Sequence, residues 1–91
     1  MKFEEEAILA RRRNAAVDNI EVDLLVETDR SIYIVEVKVR PSIEDVGSLI
    51  AKAEVVEKRF GKPAVAILAG ALIGDDVRAY VESRGIKIYS Y

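Results

Sequence analysis

The segment Ile20–Arg40 reads IEVDLLVETDRSIYIVEVKVR, and it decides the fold. Its first part, Ile20 to Val26, alternates with a period of two and predicts a β-strand. The polar residues Thr28–Ser31 predict a turn. The second part, Ile32 to Val39, is apolar on both faces, which is typical of a central strand in a sheet covered on both sides. Strict alternation in the first strand predicts two faces: Ile20, Val22, Leu24 and Val26 on one, and Glu21, Asp23 and Leu25 on the other.

Three charged residues interrupt this apolar hairpin: Asp23 in the first strand, and Glu36 and Lys38 in the second. Buried charges are costly unless they pair with each other or bind a metal. A short hairpin can bring Asp23 close to Glu36 on one sheet face. Two carboxylates suit Mg²⁺, and a lysine beside the ion can hold a phosphate or an attacking water. The alternative interpretation is an internal salt-bridge network.

The spacing of these residues resembles a known family. Asp23, followed after twelve residues by Glu36-Val37-Lys38, is similar to the core of the PD-(D/E)XK nuclease superfamily. That superfamily includes many restriction endonucleases and the archaeal Holliday-junction resolvases. The resemblance covers roughly residues 20–69. It implies an α/β fold with a restriction-endonuclease-like core, in which helices flank a small mixed central sheet.

The chain departs from the family pattern in two places. Val22 stands where the namesake motif has proline. The usual N-terminal helix, which often carries another glutamate, is short or missing.

The resemblance also implies an activity, that of a Mg²⁺- or Mn²⁺-dependent endonuclease that hydrolyses phosphodiester bonds of DNA, with structure-selective cleavage as an option. Asp23, Glu36 and Lys38 would be the catalytic residues. Asp23 and Glu36, together with the backbone carbonyl of Val37, would bind the metal, and Lys38 would assist the water. Lys52, on the helix that follows, would lie beside this site and contact nucleic acid, unless it is simply solvated. The alternative is a non-catalytic module that keeps the nuclease fold for DNA binding or oligomerisation.

Residues 2–16 begin with three glutamates and end near three arginines, an order that complements the helix macrodipole. We therefore expect a helix here, and an edge strand over residues 5–13 is the alternative. The arginines are either the solvated end of that helix or a patch that contacts phosphates of nucleic acid: Arg11, Arg12 and Arg13.

After the hairpin, Pro41 ends the strand because it lacks a backbone donor. Ser42 is predicted to cap a helix that runs to Phe60, with Asp45 as its capping-box partner. Three further elements are predicted: a strand over residues 63–69, a helix that Asp75 or Asp76 caps and that runs to Arg84, and a strand over residues 86–89. The strand–helix–strand order predicts a parallel pair of strands.

Composition limits the function classes. The 91 residues suffice for one small domain, residues 1–91, and the net charge of −2 counts mildly against a DNA-binding role. Without cysteine or histidine, disulfides, thiolate chemistry, histidine catalysis and histidine-ligated zinc are excluded. The lack of cysteine favours a cytoplasmic protein. The lack of glutamine, with abundant charged residues, hints at a thermophilic source.

Two expectations concern the location of the protein and its oligomeric state. The acidic start, Met1–Glu6, does not look like a signal peptide, and no apolar run reaches membrane-spanning length. A domain with so small a core is expected to form a two-fold homodimer, with the apolar segment Ala69–Ile73 and Tyr91 as contact surface.

Overall fold

A computed structural model describes residues 7–91, which form a five-stranded sheet and two helices. The elements in chain order are β1 (Ile8–Val17), β2 (Ile20–Thr28), β3 (Ile32–Lys38), α1 (Ile43–Phe60), β4 (Ala64–Gly70), α2 (Asp75–Ser83) and β5 (Lys87–Ser90). The strands lie side by side in sequence order; β1, β2 and β3 are antiparallel neighbours, whereas β3, β4 and β5 are parallel. The predicted α/β fold with a small mixed sheet is confirmed.

The N-terminal segment forms a strand, not the predicted helix. β1 pairs with β2 along its length, and Arg11, for example, lies opposite Val26. Alanine and arginine favour a helix by only tenths of a kcal/mol, roughly, so antiparallel pairing with the apolar strand that follows outweighs that preference. The helix predicted over residues 2–16 is therefore wrong from Ile8 onward. Its first residues, 2–6, lie outside the described part of the chain.

β2 does not keep one face toward the helices. Val22 and Leu25 pack in the helix-side core, whereas Leu24 packs on the opposite face of the sheet. The switch occurs at Asp23. The residue pairs on either side place Asp23 across from Asn14 of β1, but neither of these two residues is itself paired in the ladder. Asn14 has a left-handed φ of 48°, so the backbone is irregular here. The strict alternation predicted for this strand is therefore wrong, and the outer half of the β1–β2 hairpin packs against α1.

Both helices of residues 7–91 pack on one face of the sheet. The buried side chains of this main core come from every element except β5: Ala15, Val17, Val22, Leu25, Ile32, Ile34, Val46, Leu49, Val56, Ala66, Leu68, Val77 and Val81. A smaller cluster on the opposite face consists of Val26, Tyr33, Val35, Ile67 and Ala69. β3 is thus central and buried on both faces, as predicted.

The ends of α1 follow the sequence closely. The Ser42 hydroxyl accepts the backbone N–H of Asp45 at 3.1 Å, and the Asp45 carboxylate accepts the N–H of Ser42 at 2.8 Å. This reciprocal pair is the predicted capping box. Gly61 ends the helix with a φ of 67°, which glycine adopts without steric strain.

The start of α2 differs from the prediction. Gly74 is the N-cap residue, and no side chain caps this helix. Asp75 and Asp76 instead lie in the first turn, where negative charge is stabilised by the helix dipole. Of the helices in residues 7–91, none combines the length and the apolar character needed to cross a membrane.

Gly70 lies at the end of β4, directly beside Lys38 in the parallel register. A Cβ atom on Gly70 would lie 3.0 Å from the backbone oxygen of Lys38 and 3.1 Å from Cγ1 of Ile73. Gly47, in α1, has no atom within 4 Å of the same added carbon. The two glycines therefore provide a matched pair of sites for one chemical change.

We expect Gly70→Ala to lower the free energy of unfolding by about 1–3 kcal/mol, because the added methyl group overpacks the end of β3. Gly47→Ala should raise it by roughly 0.5–1 kcal/mol, since alanine is the better helix former. Urea unfolding of both variants checks these signs. Equal effects of the two substitutions would contradict the close approach of β4 to Lys38.

Candidate functional site

The candidate site lies where β2 and β3 separate. The paired residues of these strands end at Leu24 and Val35. Beyond that point, the backbone N–H of Val37 donates to Oδ2 of Asp23 at 2.8 Å. A backbone donor that has lost its strand partner needs another acceptor, and the carboxylate supplies it. This bond places the Asp23 carboxylate beside the segment Glu36-Val37-Lys38.

Glu36 is 8% exposed. Among residues 7–91, the buried polar or charged residues are Glu36 and Thr28. Lys52, sixteen residues later on α1, donates from Nζ to Oε1 of Glu36. The Glu36 side chain is 10% exposed, and the Lys52 side chain is 25% exposed. A carboxylate this deeply placed needs a partner, and Lys52 is that partner.

Lys38 is exposed at the end of β3, two residues from Glu36 and therefore on the same face of the strand. Its charge reaches the first turn of α1. The backbone N–H of Ser42 lowers the pKa of the Asp45 carboxyl. The Ser42 side chain and the positive charge of Lys38 also lower this pKa, whereas slight burial raises it. Lys38 thus lies on the Glu36 face of β3 and close enough to the start of α1 for its charge to act on Asp45.

The donor set fits Mg²⁺ in number and type. Asp23 Oδ1 and Glu36 Oε2 have no hydrogen-bond partner among residues 7–91. The N–H and C=O groups of a strand residue project to the same side, so the Val37 carbonyl faces β2 together with the N–H that Asp23 accepts. No group of three or more acidic, histidine or cysteine side chains gathers within the described residues. Mg²⁺ needs no such group, because it binds through one or two carboxylates and keeps several waters.

The three arginines lie on β1, at one edge of the sheet. All three line a shallow cavity with Leu24, the neighbour of Asp23. Arg12 also lines a second cavity with Arg59, whose Nε lies 3.7 Å from Oδ1 of Asp18. The alternation of the strand turns Arg12 away from Arg11 and Arg13. The arginines are therefore exposed next to the site but do not form a patch on one face.

Two contributions to the site escape sequence reasoning. The resemblance predicts that Lys52 lies beside the site, but no local sequence pattern predicts its ion pair with Glu36, which joins α1 to β3. The irregularity at Asn14 has a weak signal, because asparagine is enriched among residues with positive φ. Nothing in the sequence, however, places Asn14 across from Asp23.

Comparison with known proteins adds the fold. No protein-family model and no curated protein matches the chain. Among solved structures, a complex of EndoMS with dsDNA matches with a TM-score of 0.76 and 20% identity, covering 94% of this chain and 36% of that one. A repair endonuclease from Pyrococcus abyssi matches with a TM-score of 0.78 and 18% identity, covering 96% and 39%. EndoMS in the apo form matches with a TM-score of 0.66 and 19% identity, covering 94% and 38%.

The chain has the fold of part of each of these three proteins. It spans less than two fifths of the length of each matching chain. At identities of 20% or less, the likeness concerns the fold. The predicted nuclease-like core is confirmed at that level, and the roles of Asp23, Glu36, Val37 and Lys38 stay predictions.

The left-handed residue opposite Asp23 can be tested by substitution. We expect Asn14→Gly to leave the free energy of unfolding within about 0.5 kcal/mol of wild type, because glycine adopts positive φ freely. Asn14→Val should lower it by about 1–2 kcal/mol, since a β-branched residue is strained in this region. Thermal or urea unfolding of the two variants measures the difference. A valine variant as stable as the glycine variant would mean that β1 is regular here.

Proposed function

We propose that this domain is a Mg²⁺-dependent nuclease that hydrolyses phosphodiester bonds in DNA. The observation that carries the proposal is the 2.8 Å hydrogen bond from the Val37 N–H to Asp23, because it joins the acid of β2 to the Glu36-Val37-Lys38 segment of β3. The likeness of its fold to a repair endonuclease from Pyrococcus abyssi and to EndoMS in a complex with dsDNA supports the same proposal.

Each residue has a role that its position supports. Asp23, Glu36 and the Val37 carbonyl would hold the ion, with Mn²⁺ as the alternative metal. When bound, Mg²⁺ supplies Lewis-acid chemistry that activates water and offsets the charge on phosphate. Lys38, exposed on the Glu36 face of β3, would orient the attacking water and hold a phosphate oxygen.

DNA is the proposed partner. Arg11, Arg12 and Arg13 would contact its phosphates from the edge strand beside the site, which suits a contact that fixes position without reading sequence. The expected homodimer stays a prediction. Its support is the exposure of Leu72, Tyr89 and Tyr91, which are 53%, 52% and 62% exposed.

One observation favours the second candidate, a non-catalytic module with this fold. Glu36 already has a lysine partner, Lys52, as a carboxylate in a purely structural ion pair would. In such a module, Asp23 would serve as a strand cap for Val37 and nothing more. The response of stability to metal separates the two candidates without any knowledge of the substrate.

We expect wild type and Asp23→Asn to unfold at similar temperatures in EDTA. The asparagine oxygen still accepts the Val37 N–H, and two carboxylates no longer repel each other. Mn²⁺ at about 100 times its Kd should stabilise wild type by about 2.7 kcal/mol and leave Asp23→Asn unchanged. Glu27→Gln, which alters a carboxylate that pairs with Lys62 at 2.8 Å, should keep the full metal response. A large loss for Asp23→Asn in EDTA, with a metal-insensitive wild type, would instead support the structural module.

Activity provides the second test. Wild type should cleave duplex or branched DNA with Mg²⁺ or Mn²⁺ but not with Ca²⁺ alone. Glu36→Gln and Lys38→Met should each reduce the cleavage rate by at least about 100-fold, because the first removes a metal ligand and the second removes the charge that holds a phosphate oxygen. Lys62→Met is the control for loss of a lysine outside the site. Absence of cleavage of single-stranded, duplex and four-way-junction DNA with Mn²⁺ would refute the nuclease proposal.

A further inference from the structure

Glu36 forms an ion pair with Lys52, so a divalent ion that binds Glu36 would compete with the lysine for one carboxylate. Lys52 Nζ donates to Glu36 Oε1, and the lysine side chain is 25% exposed. A divalent ion held by Glu36 would lie within a few ångströms of this ammonium group. Like charges at that distance repel each other, and the partial burial of both side chains reduces screening by water.

We propose that Lys52 is a positioning residue that serves as the resident cation of Glu36 and competes with the divalent ion. This inference rests on the proposed function, since it assumes that Glu36 is a metal ligand. Lys52 is the partner of the buried Glu36 carboxylate when no metal is bound, and the ion has to offset that contact when it binds. Lys52 therefore weakens the metal site while it stabilises the metal-free fold.

The position of Lys52 supports this role over simple solvation. It lies in the middle of α1, so its backbone is fixed, and its side chain reaches across to β3. Glu21, which is exposed, lines a cavity with Lys52 near the β1–β2 turn. The flexible lysine stem can therefore carry the ammonium group from Glu36 toward solvent or a phosphate without moving the helix.

The chain contains a matched control for this pair. Lys62 Nζ lies 2.8 Å from Oε2 of Glu27, and the side chains are 24% and 26% exposed. Both pairs thus join a lysine of similar exposure to a strand glutamate. Glu27 lies at the opposite end of β2 from Ile20 and is not a predicted metal ligand. Loss of Lys62 should affect stability without affecting metal binding.

The experiment is a Mn²⁺ titration followed by thermal unfolding, with wild type, Lys52→Met, Lys52→Gln and Lys62→Met of the whole chain. In EDTA, we expect Lys52→Met to melt roughly 5–10 °C below wild type, because Glu36 loses its partner. Mn²⁺ should restore that loss, and the titration midpoint should fall on the order of tenfold, because the repulsion is gone. Lys52→Gln keeps a donor for Glu36 without the charge, so its midpoint should fall as well. This variant also serves if the methionine variant does not fold.

The outcomes separate the two proposals. Lys62→Met should keep the wild-type Mn²⁺ midpoint whatever its melting temperature. If wild type responds to Mn²⁺ but both Lys52 variants have the wild-type midpoint or a higher one, the Lys52 proposal is wrong and the metal site stands. If neither wild type nor any variant responds, the proposed metal site is wrong and the Lys52 proposal is overturned with it. A response of the Lys52 variants alone supports both proposals.

Discussion

The hydrogen bond between the Val37 N–H and the Asp23 carboxylate joins β2 to β3 beyond the point where their backbone pairing ends. The β2–β3 ladder stops at Leu24 and Val35. Beyond this pair, the Asp23 side chain, and not a backbone carbonyl of β2, accepts the N–H of Val37. Because of this hydrogen bond, β2 can leave the plane of the sheet without leaving the Val37 N–H of β3 unsatisfied. The outer part of the β1–β2 hairpin is then free to pack against α1, and a gap opens at the end of the central strand.

The charged residues of the site lie where β2 and β3 separate. Glu36 is nearly buried and tolerates its position through Lys52, which α1 delivers from across the sheet. Asp23 is exposed but fixed by the backbone of β3. A site built from acids that already have partners does not depend on a bound ion for its folding. Its geometry is therefore set by the sheet and by α1, which are rigid, and not by a loop.

The sequence predicted the parts that local pattern controls. Period-two alternation located β2, and a run that is apolar on both faces located β3. The Ser42–Asp45 pair located the start of α1, and strand–helix–strand order gave the parallel pairing of β3 with β4. It failed where contacts between elements decide. Residues 2–16 carry a helix-like charge order, with glutamates first and arginines last, but Ile8–Val17 form a strand that pairs with β2. The reversal of faces at Asp23 depends on Asn14 across the ladder, and the Glu36–Lys52 contact depends on the path of α1 over the sheet.

The arginines of β1 have a consequence for assembly. Within residues 7–91, β1 and β5 are the two edges of the sheet, and an exposed edge can recruit a strand from another molecule. Three consecutive arginines at the centre of β1 make that recruitment unfavourable between identical chains, because antiparallel self-pairing would bring the two positive clusters together. β5 has only four residues, which limits pairing at the other edge. Growth of the sheet by lateral addition is therefore disfavoured at β1 and limited to a short strand at β5, which reduces the tendency toward edge-to-edge aggregation.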